Sequence, residues 1–377
     1  MDSNDLNSIN EDVEENELLT ARSEINEVDE KMAELFVKRM DAVYRIAEYK
    51  KHRGLPVVDE RRDKEVIARN LNFIKEPKLQ PFYAEFMYNN INVSKKYQKG
   101  IVEGMKVAYC GIKGAFAYIA AKRIFPTADL VSYPDFQSAY DSVERGESEC
   151  AVLPLENSYA GEVGSVTDMM FAGSLYVNAL YTYEINQCLM GTQDATKEDI
   201  KSVYSHPQAL DQCQVYITKH GYSIKQAVNT AVAAKSVADD NDKTVAAIAS
   251  EEAAELYGLK ILEKNINESN KNSTRFAVLS RSPMPQDESN KYNHIMLMFT
   301  VKNEAGALAK AMNVLGAYGY NMSAVRSRPL KSLPWQYYFY IEASGDGTLG
   351  NEKKMLNALS ATCDRLKLLG RVEWNEQ

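Results

Sequence analysis

The sequence predicts three successive domains: an all-α region, an α/β region and a small α+β unit. Three observations carry this prediction. Apolar positions near the N-terminus repeat at strict 4-3 spacing, from residue 105 short apolar strands alternate with helices, and from residue 292 the elements read βαββαβ. A length of 377 residues suits two or three domains.

Residues 1–17 hold seven acids and no Lys or Arg, which accounts for most of the net charge of −8. Residues 1–16 are therefore expected to be an acidic, disordered tail. Residues 17–98 read as helical. A first helix of about 35 residues ends near Gly54-Leu55-Pro56, a second begins near Asp59, and a third covers roughly Pro81–Tyr97. Between residues 105 and 281, strands are expected at Lys106–Cys110, Cys150–Leu155, Ser202–Tyr204, Thr244–Ala249 and Phe276–Ser280. Several run into small polar residues that suit helix starts: Glu156-Asn157-Ser158, Ser205-His206-Pro207-Gln208, Asn229-Thr230 and Ser250. Residues 282–291, with two prolines, read as a linker. In the last unit, residues 292–377, strands are expected at His294–Val301, Asn321–Arg328 and Gln336–Ala343, and helices at Ala307–Tyr318 and Lys353–Leu366. A short final strand completes a ferredoxin-like order.

The N-terminal stripe runs Leu18, Arg22, Ile25, Asp29, Met32, Phe36, Arg39, Val43, Ile46 and Lys50. This is one face of a continuous helix, and three of its members are cations. A cation turned inward costs several kcal/mol unless an anion meets it. Either the stripe binds an anionic ligand, or its charges pair for registry or reach out at a rim. Arg39 and Lys50 lie roughly 16 Å apart along the axis, within reach of one small ligand, whereas Arg22 lies roughly 25 Å from Arg39. In an antiparallel pair of helices, Arg22 of one chain would enter the site of the other. A helix this long also cannot bury its stripe inside one compact chain, so an intertwined dimer is expected.

Composition excludes several classes. No apolar run approaches a membrane span, and the N-terminus lacks a basic-then-apolar signal. Outside the acidic segment the charge is near neutral, which argues against nucleic acid as a partner. Five scattered cysteines without CxxC spacing suggest reduced thiols in a cytoplasmic protein, with no zinc site or disulfide framework.

With Leu18-Leu19-x-x-Arg22-x-x-Ile25-x-x-x-Asp29, Arg39, Lys50, Pro56-x-x-Asp59-x-x-Arg62-Asp63 and Ser94-x-x-x-Gln98, residues 17–98 resemble the all-helical chorismate mutases. The resemblance implies that Arg39, Lys50 and Arg22 from the partner chain hold the two carboxylates of chorismate. It also implies that Lys50 and Gln98 bond the ether oxygen, and that Asp59, Arg62, Asp63 and Ser94 complete the pocket. The family usually carries Glu where this chain has Asp63, one methylene shorter. Rearranging chorismate to prephenate needs no nucleophile, metal or proton shuttle, only a folded substrate and stabilised charge on the ether oxygen.

Residues 105–281 resemble prephenate dehydratase. The match rests on Gly111-x-x-Gly114-Ala115-Phe116, Pro154-Leu155-Glu156-Asn157-Ser158, Tyr204-Ser205-His206-Pro207-Gln208-Ala209-Leu210, Ala253-Ala254-x-Leu256-Tyr257-Gly258-Leu259 and Asn272-x-Thr274-Arg275-Phe276. It implies a two-lobed, periplasmic-binding-protein-like domain. Thr274 would be the donor to the departing hydroxyl, and Glu156, Asn157, Ser158, Ser205, His206, Gln208, Arg275 and Phe276 would lie around the substrate. Other readings stay open: Arg275 as an ion-pair partner, Glu156 as a loop organiser and His206 as a cap. The Gly111 loop reads as a backbone anion cradle, with Ile112 where Pro is common and Ala117 where Ser or Thr is usual.

Residues 292–377 resemble the ACT regulatory domain through Glu304-Ala305-Gly306-Ala307-Leu308 and Ser327-Arg328-Pro329. This implies phenylalanine as effector, bound near Ala305, Gly306, Ala307, Leu308, Ser327, Arg328 and Pro329. Related dehydratases often carry Glu where this chain has Arg326. Together the resemblances imply a bifunctional enzyme of phenylalanine biosynthesis that needs no cofactor or metal. It would act as a homodimer or higher oligomer. A mutase–dehydrogenase fusion lacks support because no GxGxxG opens a βαβ unit. Arogenate dehydratase activity and a non-catalytic amino-acid sensor are the alternatives.

Overall fold

The computed structural model describes residues 3–53, 57–268, 272–283, 294–330, 335–345 and 349–372, without the side chains of residues 3–15 and of His52. The chain divides into two compact units, Met1–Met105 and Lys106–Gln377.

The first unit holds α1 (Ser3–Arg53), α2 (Glu60–Leu71) and α3 (Gln80–Val102). Asp59 starts α2 by accepting a hydrogen bond from the Arg62 amide at 3.0 Å, and Pro81 sits in the first turn of α3, where its missing N–H costs nothing. Helix α3 packs along the last part of α1 and buries Val43, Ala47, Met87, Ile91, Ser94 and Gln98. Residues 3–16, expected as a disordered tail, are instead the first turns of α1. The physical reason lies in the sequence: the first Gly and Pro are Gly54 and Pro56, and acids suit the positive end of a helix. The break expected at Gly54–Pro56 lies outside the described residues. Within one chain the stripe is only partly covered, since Leu18, Ile25, Met32, Phe36 and Ile46 are 43–59% exposed.

The second unit begins with β1 (Lys106–Cys110), α4 (Phe116–Ile124), β2 (Asp129–Tyr133), α5 (Phe136–Glu144), β3 (Cys150–Asn157), β4 (Gly161–Glu162), α6 (Gly164–Ala172) and β5 (Tyr176–Glu184). It continues through β6 (Cys188–Gly191), β7 (Ser202–Ser205), α7 (Pro207–Gln212), α8 (Gln214–His220), β8 (Ser223–Gln226), α9 (Thr230–Asp240), β9 (Val245–Ala249), α10 (Glu251–Tyr257), β10 (Lys260–Glu263) and β11 (Ser273–Ser280). One lobe is built on the sheet β2-β1-β3-β11-β5, with β4 on β3, and the other on β10-β6-β9-β7-β8. The chain crosses from the first lobe to the second after β5 and returns before β11. This is the two-lobed architecture expected of a periplasmic-binding-protein-like domain. All five expected strands are present. Glu156-Asn157-Ser158 does not open a helix: β3 runs through Asn157, whose Oδ1 accepts from the amides of Tyr159 and Ala160 at 3.0 and 2.8 Å and turns the chain into β4.

The final elements are β12 (His294–Thr300), α11 (Ala307–Ala317), β13 (Asn321–Pro329), β14 (Tyr337–Ser344), α12 (Leu349–Ser360) and β15 (Arg365–Val372). They form the expected βαββαβ unit, an antiparallel sheet in the order β13-β14-β12-β15. The helix expected to reach Leu366 stops at Ser360, because Arg365 and Leu366 are needed to pair with Thr300 and Phe299 on the edge of β12. Of the expected linker only Ser282 and Pro283 are described. The face of this sheet carrying Met296, Met298, Tyr338, Tyr340, Leu369 and Val372 shares one core with α5, α6, β3 and β11 of the first lobe. Tyr338 stacks on Phe171 with ring centres 4.4 Å apart. At Gly370 a side chain would collide with the Val177 carbonyl, so glycine permits β15 to lie against β5.

Candidate active sites

In the first unit, Arg39 and Lys50 come from α1, while Ser94 and Gln98 project from α3 one turn apart. Arg39 donates through Nη1 to Ser94 Oγ, and burial pulls the guanidinium below its ordinary pKa. Lys50 Nζ donates to the Val57 carbonyl at 2.7 Å. The Gln98 side chain is buried, and its Oε1 has no hydrogen-bond partner among the described residues. Arg39 and Ser94 thus join α1 to α3, Lys50 is held at the Val57 carbonyl, and Gln98 keeps a buried amide oxygen without a partner among the described residues. Asp63 is tied to Lys95, a residue the sequence reasoning missed, although Lys95 follows Ser94 directly. Asp59 serves as the α2 cap, and Arg62 turns to Glu65 at 3.3 Å on the exposed side of that helix. Arg22 is exposed in the single chain.

In the second unit a cleft of about 420 Å³ separates the lobes. The first lobe contributes Gly111, Ala115, Phe116, Asn157, Thr274 and Phe276, and the second contributes His206, Gln208, Gln212, Asn229 and Thr230. Asn157 organises it. Its Nδ2 donates to Thr274 Oγ1 and to Asn272 Oδ1, both at 2.9 Å, and its Oδ1 accepts from Gln208 Nε2 at 3.3 Å across the cleft. Because Thr274 Oγ1 accepts from Asn157, its own proton is left to point at a ligand.

His206 caps α7 by accepting the Gln208 amide on Nδ1 at 3.2 Å. Burial lowers its pKa and so favours the neutral imidazole, in which Nδ1 accepts that amide. Gly111 and Gly114 adopt positive φ values of 98° and 87°, which let the loop fold back into the start of α4. Asn229 caps α9 by accepting the Val232 amide at 2.8 Å. The amino ends of α4 and α9 thus border the cleft. No Lys or Arg lines it among the described residues. Helix N-termini and side-chain amides are therefore the groups available to meet an anion there.

Four expected ligands are placed elsewhere. Arg275 lies between Thr274 and Phe276 on β11, and alternation turns it to the opposite face. There Nη1 meets Glu156 Oε2 at 3.3 Å, and Nη2 meets both carboxylate oxygens of Glu342 at 3.0 and 2.8 Å. Glu156 faces the same way and also accepts from Arg326 Nη2 at 2.6 Å. Ser205 is fully buried and donates to the Ile248 carbonyl at 2.5 Å, and Ser158 Oγ accepts from the Ser273 amide at 2.9 Å. Gln187 and Gln212, buried in the cleft, were missed; Gln187 stands at the crossover between lobes, where a polar residue between two apolar strands was the available signal.

Glu342 is almost wholly buried. Burial works to raise its pKa, but His294 at 3.2 Å, Arg275 and the Tyr340 hydroxyl at 2.6 Å together hold it at about 2. In the last sheet, Gly306 takes a φ of 83° at the start of α11. Thr300, Tyr338 and Arg328 stand abreast, so the Ala305–Leu308 turn and Ser327–Pro329 lie at the same end of the sheet. The Arg328 side chain itself binds Asp168 on α6 at 2.9 and 3.2 Å.

A helical unit in which Arg39 meets Ser94 across two helices, followed by a two-lobed unit with a buried hydroxyl in its cleft, defines a chain of two distinct domain classes. Residues 21–99 match the chorismate mutase type II family, and residues 107–284 match the prephenate dehydratase family. A bifunctional chorismate mutase/prephenate dehydratase of Buchnera aphidicola is 31% identical over 370 residues, covering 94% of this chain and 96% of the relative. Among solved structures, one described as GqqA, a novel type of quorum quenching acylase, is 29% identical with a TM-score of 0.66, covering 72% of this chain and 98% of that one. The prephenate dehydratase of Staphylococcus aureus is 26% identical with a TM-score of 0.63, covering 71% of this chain and 100% of its own. The chain belongs to the bifunctional chorismate mutase/prephenate dehydratase family.

Proposed function

We infer that this chain rearranges chorismate to prephenate in its helical unit and converts prephenate to phenylpyruvate in its two-lobed cleft. The C-terminal βαββαβ unit acts as an ACT domain that binds phenylalanine and inhibits the pathway it ends. The observation that carries this reading is end-to-end similarity to a bifunctional relative, with Arg39 joined to Ser94 in the helical unit and Asn157 joined to Thr274 in the cleft.

In the mutase step, Arg39 and Lys50 clamp the carboxylates and fold the substrate, while Lys50 and the Gln98 amide meet the charge growing on the ether oxygen. The partner's contribution is Arg22, and the exposed apolar residues of the α1 stripe support a homodimer in which two such helices cover each other. In the dehydratase step, the departing carboxylate leaves as carbon dioxide. Its bonding electrons enter the ring, and the ring expels the hydroxyl. Thr274 hydrogen-bonds that hydroxyl as it leaves, with Asn157 fixing the direction of the threonine proton. The amino ends of α4 and α9 receive the substrate carboxylates. Free thiols at all five cysteines support a cytoplasmic setting.

The test supplies purified chain with chorismate and follows prephenate and phenylpyruvate, with and without phenylalanine. Formation of phenylpyruvate, slowed by phenylalanine, is expected. If neither product forms, the reading is wrong; if both form at a rate indifferent to phenylalanine, the regulatory part falls.

A further inference from the structure

Behind the cleft, a line of alternating charges joins the C-terminal sheet to the strands that carry the dehydratase donor. It runs Arg326, Glu156, Arg275, Glu342, with every link between 2.6 and 3.3 Å. Arg326 lies on β13, Glu156 on β3 and Arg275 on β11. Glu156 and Arg275 are cross-strand partners, and so are the next pair, Asn157 and Thr274. The two pairs occupy opposite faces of the same step of the ladder.

We propose that Arg326 is a positioning residue for the dehydratase, holding the Glu156 carboxylate so that β3 and β11 present Asn157 and Thr274 to the cleft in fixed register.

Three features support this. The β3–β11 register shifts between Arg275 and Phe276, so backbone pairing alone does not lock Thr274 from that side. Arg326 is itself held from two directions, by Glu156 and by the face of the Tyr340 ring 5.5 Å away, and Tyr340 in turn bonds Glu342. The Glu156 carboxylate is three-quarters buried between two guanidinium groups, so neutralising one of them changes where it rests. A carboxylate at position 326 would repel Glu156, so this arm of the brace depends on the positive charge of Arg326.

The inference rests on the dehydratase reading of the cleft. The test uses the full-length chain with prephenate as substrate, and checks the fold of the second unit by near-ultraviolet circular dichroism, since the buried tyrosines Tyr109, Tyr140, Tyr338 and Tyr340 all lie there. Arg326→Gln is expected to lower dehydratase kcat by about tenfold while KM and mutase kcat stay within about twofold. Arg326→Lys should restore most of kcat. Glu156→Gln should reproduce the loss from the other end, and Arg326→Gln added to it should cost less than about twofold more. Unchanged kcat in Arg326→Gln overturns the proposal, as does a change confined to KM or a multiplied loss in the double variant. Should Arg326→Gln fail to fold, unchanged kcat in Glu156→Gln overturns it equally. A wild-type chain that leaves prephenate intact removes the dehydratase reading instead, which the same assay distinguishes.

Discussion

Replacing Glu342 by glutamine perturbs a carboxylate that Arg275, His294 and Tyr340 all share. An ordinary glutamate titrates near 4.5, and here the group is held at about 2 in a side chain with 1% exposure. Each tenfold change in proton affinity is worth about 1.4 kcal/mol, so the folded chain favours the ionised carboxylate by about 3 kcal/mol. That agrees with the roughly 3–5 kcal/mol lost when one partner of a buried pair is removed. Glu342→Gln should therefore destabilise the second unit by about 3 kcal/mol at neutral pH. The pH dependence has a definite sign. Because the folded pKa lies below the unfolded one, the contribution of Glu342 is complete above about 4.5 and is lost as pH falls towards about 2. Urea unfolding, followed by near-ultraviolet circular dichroism of the buried tyrosines, measures the gap between wild type and variant at successive pH values. The gap should be full at about pH 5 and less than half that at about pH 3. A gap below about 1 kcal/mol at neutral pH, or one that does not narrow on acidification, refutes the reasoning.

Three further outcomes follow from the sites. Thr274→Val, which keeps shape and removes the hydroxyl, should lower dehydratase kcat by about 10²–10⁴-fold and let prephenate accumulate from chorismate; unimpaired phenylpyruvate formation would remove Thr274 from the mechanism. Lys50→Ala should abolish chorismate loss, yet the same sample should still consume added prephenate at the wild-type rate. Met32→Glu sets an unpaired charge in the middle of the exposed α1 stripe, and should shift the chain towards monomer in sedimentation with loss of mutase activity. A stable, active dimer carrying that change would show that the stripe is not the interface.

Much of this was legible because local physics was decisive. The strands over Cys150–Leu155 and Thr244–Ala249 are short apolar runs bounded by polar residues, and Asp59, Asn229 and Ser250 each start a helix as small polar residues do. Strand β8 was invisible because Ser223–Gln226 is exposed throughout and carries no apolar pattern. The roles of Arg275 and Glu156 were harder for a different reason. Their partners lie 67, 119 and 170 residues away along the chain, so no local pattern could name them. Alternation did hold a clue, since Thr274 and Phe276 cannot share a face of β11 with Arg275. The two cysteines nearest the ends of the second unit, Cys110 and Cys363, have thiol pKa values raised chiefly by burial, in keeping with thiols that do not take part in the chemistry.

The step shared by β3 and β11 also limits how this chain can change. Sliding β11 by a single residue would bring a guanidinium to the cleft and send a hydroxyl to the interdomain contact, so catalysis and domain coupling would be lost in one event. An insertion or deletion there therefore has no intermediate form that keeps one function while altering the other. Variation can enter more gradually from the opposite bank, on the C-terminal strands, where a change at position 326 alters the hold on Glu156 without changing which residues face the cleft. Change on that side is graded, whereas change within the ladder is all or none.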